Sequence, residues 1–238
     1  MDTHAPRSGG NGASRVHELL SHAPLFRGLA PEDLARIAAG TREVRAARGE
    51  AIFHRGDPCE GFHVVAVGRV KLALVNPAGD EKVVEIVGPG MSFGEALMFA
   101  GRPYIVDAIA LADSLLLHVN KATLFAEIDR EPALARRMLA SLSVRTHMLM
   151  KDLEAVSLHS ATQRVIGYLA RLDEETGSHR VTLPAQKALV ASRLNLTPEY
   201  FSRILHDMAA RGLVRIDARD IEILDPEGLR ALGAASDA

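Results

Sequence analysis

The chain has 238 residues, with 28 Lys or Arg against 30 Asp or Glu, so its formal net charge of -2 at pH 7 announces no basic domain for nucleic acid. A hydrophobic share of 47% is enough for one large or two modest cores. The single cysteine, Cys59, excludes an internal disulfide framework and a four-cysteine iron–sulfur cluster. No apolar run reaches membrane length or forms a signal-peptide core, so a cytoplasmic protein without membrane attachment is expected.

Residues 1–13 are small and polar and read as a disordered tail. Arg15 to Ala39 reads as short helices, carried first by Val16, Leu19 and Leu20, then by Leu25 and Phe26, then by Leu34 and Ile37 after Pro31. From Glu43 to Val119 the texture changes. Glycines recur from Gly49 to Gly101 between short runs rich in Val, Ile and Phe. Val70, Leu72 and Leu74 alternate with Lys71 and Ala73, Asn76 to Asp80 forms a turn, and Val83 to Val87 returns. Short strands with glycine turns argue for an antiparallel roll or barrel enclosing a pocket, so residues 14–130 are assigned to a sensory domain.

After Pro132 the pattern is helical to about Ser157. Leu139, Leu142, Thr146, Leu149, Leu153 and Val156 follow alternating steps of three and four, the seam of a helix that pairs with a copy of itself. A helix packed on its own domain is the alternative; Met148 and Met150 widen the apolar surface and favour the homodimer. Residues 131–158 are therefore read as a dimerisation helix. Another helix, Ala161 to Leu172, leads into a polar loop from Asp173 to Arg180.

Residues 159–238 carry the pattern of a winged helix-turn-helix. A helix from Gln186 to Leu194 is followed by the turn Asn195-Leu196. Thr197-Pro198-Glu199 then supplies a side-chain cap, a proline at the first helical position and an acid near the positive helix end. The second helix buries Phe201, Ile204, Leu205 and Met208 and stops at Gly212. Leu213–Ile216 and Ile221–Leu224 alternate around Asp217–Asp220 as a hairpin.

The polar residues of the second helix bear on recognition. Glu199, Ser202, Arg203 and His206 fall at offsets of three, four and seven, on one face opposite the apolar one. Arginine can be bidentate to guanine, glutamate can accept from cytosine, and serine is permissive, so this face suits double-stranded DNA. Lys187, opening the first helix, suits phosphate, and Thr197 completes the set of candidates. A solvated face of a helical hairpin shows much of the same pattern, and these residues alone leave both readings open.

The order roll, long helix, helix-turn-helix resembles the Crp/Fnr family of transcription regulators from Val16 onward. The segments that carry the resemblance are Gly56-Asp57, Gly68, Phe93-Gly94-Glu95, the long helix, and Thr197-Pro198-Glu199-Tyr200-Phe201-Ser202-Arg203. It implies an α+β fold: an N-terminal cyclic-nucleotide-binding-like β-roll, a dimerisation helix and a winged helix-turn-helix. Glu199, Ser202 and Arg203 match the E-x-x-S-R spacing of the Fnr branch, which implies a TTGAT-type half-site in a palindrome, with RNA polymerase as a further partner.

At the sensory end, the effector pocket implied by the family falls on Gly94, Glu95, Tyr104 and Ile105. The glycine–glutamate pair that holds ribose is present. Tyr104-Ile105 stands where the cyclic-AMP branch has its phosphate-binding arginine and hydroxyl, so an unpaired phosphate weighs against cyclic AMP. A closer likeness is the Dnr-type subgroup, at Arg15-Val16-His17, Leu19-Leu20-Ser21-His22, Gly94 to Phe99 and Leu153 to Leu158. That likeness implies nitric oxide sensing through haem, with His17 and His22 as ligands.

A different class of function is a cyclic-nucleotide-binding module that acts on a protein partner through its C-terminal helices. An enzyme is not expected, because Glu95 has no histidine, lysine or second carboxylate at motif spacing. Cys59 stands between Asp57 and Glu60, whose charges disfavour the thiolate.

Overall fold

A computed structural model of the chain describes residues 10–76 and 79–235. It divides into two compact units: one from the chain up to Val75 with Ile86–Val144, the other from Asn76–Glu85 with the chain from Arg145 onward. The boundaries expected near residues 130 and 158 are thus replaced by a division inside the long helix.

The first unit opens on α1 (Gly10–His22), a single 3-10 turn (Pro24–Phe26) and α2 (Pro31–Ala39). The expected tail therefore needs correction, since α1 begins at Gly10; the rest of that tail lies outside the described residues. The strands are β1 (Thr41–Ala46), β2 (Ala51–Phe53), β3 (Gly61–Val67), β4 (Val70–Val75), β5 (Glu81–Val87), β6 (Ser92–Phe93), β7 (Asp107–Ala110) and β8 (Ser114–Asn120). Helices α3 (Glu95–Ala100) and α4 (Lys121–Arg130) interrupt and follow them. Two four-stranded sheets, ordered β1-β8-β3-β6 and β2-β7-β4-β5, make the antiparallel roll. The tip of the β4–β5 turn, at residues 77–78, lies outside the described residues.

Strand periodicity divides the first sheet into two faces. Phe62, Val64, Leu117 and Val119 pack against Phe26, Leu34, Ile37 and Leu124 from the helices. Val65 and Leu116, pointing the other way, join Phe53, Phe93 and Tyr104 in the roll interior. Each fully buried side chain of this size contributes about 1.5–3 kcal/mol. Under the helical layer, the buried carboxylate of Glu127 is held by Arg36 at 2.8 Å and by Arg130 at 3.2 Å.

Helix α5 (Pro132–Leu158) begins with Leu134 and Met138 buried in the first unit's core. Farther along, Leu139, Thr146, Leu149, Leu153 and Val156 are exposed and Leu142 is half-buried.

The second unit contains α6 (Ala161–Thr176), β9 (Arg180–Thr182), α7 (Lys187–Arg193), α8 (Pro198–Ala210), β10 (Val214–Asp217), β11 (Asp220–Ile223) and α9 (Pro226–Ala235). Helix α6 starts on a capping box between Ser160 and Gln163 and runs past Leu172. The loop expected from Asp173 to Arg180 is shorter, because Arg180–Thr182 adds to the hairpin as a third strand, in the order β10-β11-β9. The alternation of Arg180, Val181, Thr182 and Leu183 is too short to stand alone as a strand, and pairing with β11 completes it. Asp152 of α5 ties the helices together, binding Arg193 of α7 at 2.6 Å and Arg171 of α6 at 3.5 Å.

Candidate nucleic-acid interface and roll cavity

The second unit builds its polar surface on a rigid frame. Thr197 Oγ1 accepts from the Tyr200 N–H at 3.2 Å, Pro198 takes the first helical position, and Glu199 sits in the first turn. Thr197 is thus occupied as the cap of α8 rather than left free for a base. Phe201, Ile204, Leu205 and Met208 are buried together with Val190 of α7 and Val214, Ile221 and Ile223 of the hairpin. Gly212, at φ +74°, ends the helix in the left-handed region that glycine tolerates. Asn195, at φ +58°, makes the corner between α7 and α8.

With one face buried, the other points to water. Glu199, Arg203 and His206 are exposed and Ser202 is half-buried. The Arg203 guanidinium lies over the Tyr200 ring, 4.6 Å from its centroid. His206 Nδ1 lies 2.7 Å from the Ser202 carbonyl, to which it donates. Lys187 stands half-buried in the first turn of α7. Of the six residues expected to face DNA, Thr197, Glu199, Arg203 and His206 are exposed and Lys187 and Ser202 are half-buried.

The first unit carries an open cavity of about 660 Å³ on the roll, lined by residues of α2, β1, β2, β3, β8 and α4 and by the loops beside them. Cross-strand register makes its floor. His63 of β3 lies opposite His118 of β8 and Phe93 of β6, and His118 lies opposite Arg42 of β1. The two imidazoles meet edge-on with centroids 4.8 Å apart. Phe53 and Tyr104 stack beside them at 3.5 Å, and Asp57, Glu60, Asn120 and Thr123 complete the rim.

His63 is only 5% exposed, and its Nδ1 has no hydrogen-bond partner. Burial, then the neighbouring His118 and Arg42, push its pKa down to about 3, so the ring is neutral. Burial and Arg42 push His118 in the same direction, against a weaker pull from Glu60. Burial raises the Tyr104 phenol, whose hydroxyl donates to the Gly61 carbonyl at 3.4 Å.

The sensory residues expected from sequence line the cavity only in part. Tyr104 lines the cavity, but Gly94, Glu95 and Ile105 do not. Glu95 is buried in the first turn of α3, accepting from Ser92 Oγ at 3.2 Å. Gly94, at φ +93°, turns the chain beneath Tyr104, where an added Cβ would lie 3.3 Å from the ring. Ile105 is 57% exposed.

His17 and His22 are corrected as well. They sit five positions apart on α1, about 140° around the helix, and neither lines the cavity. His22 is exposed and its Nδ1 bonds the Glu18 carbonyl at 2.8 Å. The signal missed in the sequence is the pairing of His63 with His118, 55 positions apart, which no local motif encodes. Cys59 is half-buried, with its thiol directed at the carbonyls of Gly61 and Gly94. Among the described residues no cluster of three or more His, Cys, Asp or Glu could hold a metal ion. No described helix is long and apolar enough to cross a membrane.

An antiparallel roll bearing a pocket, a long helix and a capped helix-turn-helix with a wing define the architecture of a DNA-binding regulator. The family model for the cyclic nucleotide-binding domain matches residues 43–131, and that for the Crp-like helix-turn-helix domain matches residues 163–232. The chain belongs to the Crp/Fnr family of DNA-binding transcription regulators. It is 26% identical to the CRP-like cAMP-activated global transcriptional regulator of Mycobacterium tuberculosis, over 90% of this chain and 98% of that protein. The structure of FixK2 from Bradyrhizobium japonicum shares the fold, with 22% identity, a TM-score of 0.73, and coverage of 81% of this chain and 96% of that one. Dnr from Pseudomonas aeruginosa is 35% identical, covering 91% of this chain and 97% of that one, with a TM-score of 0.49.

Proposed function

We propose that this chain is a cytoplasmic, effector-gated homodimer that reads a TTGAT-like palindrome through α8 and acts on RNA polymerase. The observation that supports this best is the division of α8: a fully buried apolar face, and an outer face on which Glu199 and Arg203 keep their polar groups directed to water. Arg203 and Glu199 match base-edge chemistry, whereas Lys187 supplies phosphate affinity without sequence preference. With a net charge of -2, the chain draws its affinity from placed contacts and from two copies.

The exposed seam of α5 supports the homodimer. Leu139, Leu149 and Leu153 are 63%, 47% and 68% exposed, and a second copy of the helix would cover them. A small effector in the roll cavity, contacting His63 and His118, would bias two arrangements of the dimer helices and thereby the separation of the recognition helices.

Haem does not fit the residues on which it was expected: His17 and His22 diverge and line no cavity in the roll. The roll cavity itself carries Arg42, Asp57, Glu60, Asn120 and Thr123, unlike the apolar slot that haem needs. The mycobacterial relative is cAMP-activated by name. In this chain Glu95 is already engaged by Ser92 and Tyr104-Ile105 offers a phosphate no cation, so calorimetry with cyclic AMP is expected to show no saturable binding.

The test is fluorescence anisotropy of the full chain on a TTGAT palindrome and on a scrambled duplex, from 50 to 200 mM salt. The expected preference is about 10³-fold or more, with affinity for both duplexes falling steeply as salt rises. Equal affinity for the two duplexes would contradict the proposal.

A further inference from the structure

We infer that Tyr200 is a positioning residue for base readout, holding the Arg203 guanidinium over its ring so that the fork is oriented before DNA arrives. The inference rests on the reading that α8 faces DNA. Arginine has a choice of partners on this helix. Glu199 stands four positions earlier, where an acid and an arginine ordinarily pair across one turn. Such a pair would neutralise both groups and consume the acceptor and the donors that a base edge needs.

The observed geometry is different. The guanidinium carbon lies over the Tyr200 ring, 4.6 Å from its centroid, and Arg203 makes no ion pair or hydrogen bond among the described residues. A cation–π contact restrains the guanidinium while spending none of its N–H donors on an acceptor, and bidentate recognition of guanine requires those donors. Arginine carries much rotamer freedom, so fixing it in the free protein lowers the ordering cost at binding.

Tyr200 is itself well held. Its N–H is bound by the Thr197 cap at 3.2 Å, and the next residue, Phe201, is fully buried in the core of the unit. The ring is 39% exposed, so it supports Arg203 from the surface without belonging to that core. Sequence spacing alone places Tyr200 beside the reading face; the cation–π contact assigns it a task.

Competition binding on half-sites varied at the guanine tests this with Tyr200→Ala, Tyr200→Phe, Arg203→Ala and the Tyr200→Ala/Arg203→Ala double variant. Tyr200→Ala should lower discrimination at that base pair about 2- to 5-fold per half-site, with little change on duplexes lacking the guanine. Tyr200→Phe, which keeps the ring, should retain discrimination. In the Arg203→Ala background, loss of Tyr200 should have no further effect. Undiminished discrimination in Tyr200→Ala, or an equal loss in Tyr200→Phe, would overturn the positioning role while leaving the DNA reading intact. Undiminished discrimination in Arg203→Ala would overturn the DNA reading of α8 and the inference with it.

Discussion

The outer face of α8 and the floor of the roll cavity hold similar groups under opposite solvation. On α8, Arg203 and His206 stand in water, and the helix beneath them is anchored by buried Phe201 and Leu205. In the roll, His63 is drawn out of water, kept neutral by burial and then by His118 and Arg42, and stacked on Phe93, while half-buried His118 meets it edge-on with its pKa lowered by burial and Arg42. A charged polymer is met best by groups that keep their charge and need little desolvation. A small ligand in a closed fold is met by neutral groups whose hydrogen bonds are still open. On the proposed reading, the two regions separate recognition of DNA from sensing within one chain.

The largest expected effect lies under the α8 surface. Phe201→Ala should cost the second unit about 3–5 kcal/mol, while Glu199→Gln on the opposite face should stay within about 0.5 kcal/mol. Denaturant unfolding of the two variants checks the contrast, and similar losses would mean that the polar face is also structural.

The α5 seam sharpens the comparison at a third surface. Leu149→Asp should leave the fold of each copy intact, because this side chain is 47% exposed in the single chain. Association should weaken by several kcal/mol, since two like charges would be desolvated together. Sedimentation at micromolar concentration should find monomer; a dimer as tight as the parent would place the partner elsewhere.

A smaller effect belongs to the cavity floor. His63 has its pKa lowered from 6.5 to about 3 in the folded chain, so between those values the unfolded chain binds more protons. Its contribution is therefore fully present above pH 6.5 and is lost as pH falls toward 3, with about 1.4 kcal/mol gone at pH 5.5. His118, depressed in the same direction and facing His63, adds to the slope. Stability measured against pH should be flatter for His63→Phe than for the parent chain, and parallel curves would mean that the ring is already solvated.

What could be read from sequence follows from range. The α8 pattern lies within one helix, where steps of three and four reveal a face, so Phe201, Ile204, Leu205 and Met208 separate cleanly from Glu199 and Arg203. The N-cap of Thr197 and the stop at Gly212 are local too. The cavity is different in kind. Arg42, His63 and His118 become neighbours only through strand register, and β9 becomes a strand only because β11 pairs with it. Family likeness placed the sensory residues at Gly94, Glu95, Tyr104 and Ile105, yet Tyr104 alone of these lines the cavity, and α1 carries His17 and His22 away from it.

The measurement that bears most directly on α8 as the reading surface compares Arg203→Ala with Lys187→Ala on half-sites carrying each base at the guanine position. Arg203→Ala should cost about 1–3 kcal/mol per half-site on the guanine duplex alone, making all four bases nearly equivalent. Lys187→Ala should weaken all four alike and reduce the salt dependence by about one charge. If Arg203→Ala weakened every duplex equally, the guanidinium would be a phosphate contact and α8 would not be reading the sequence.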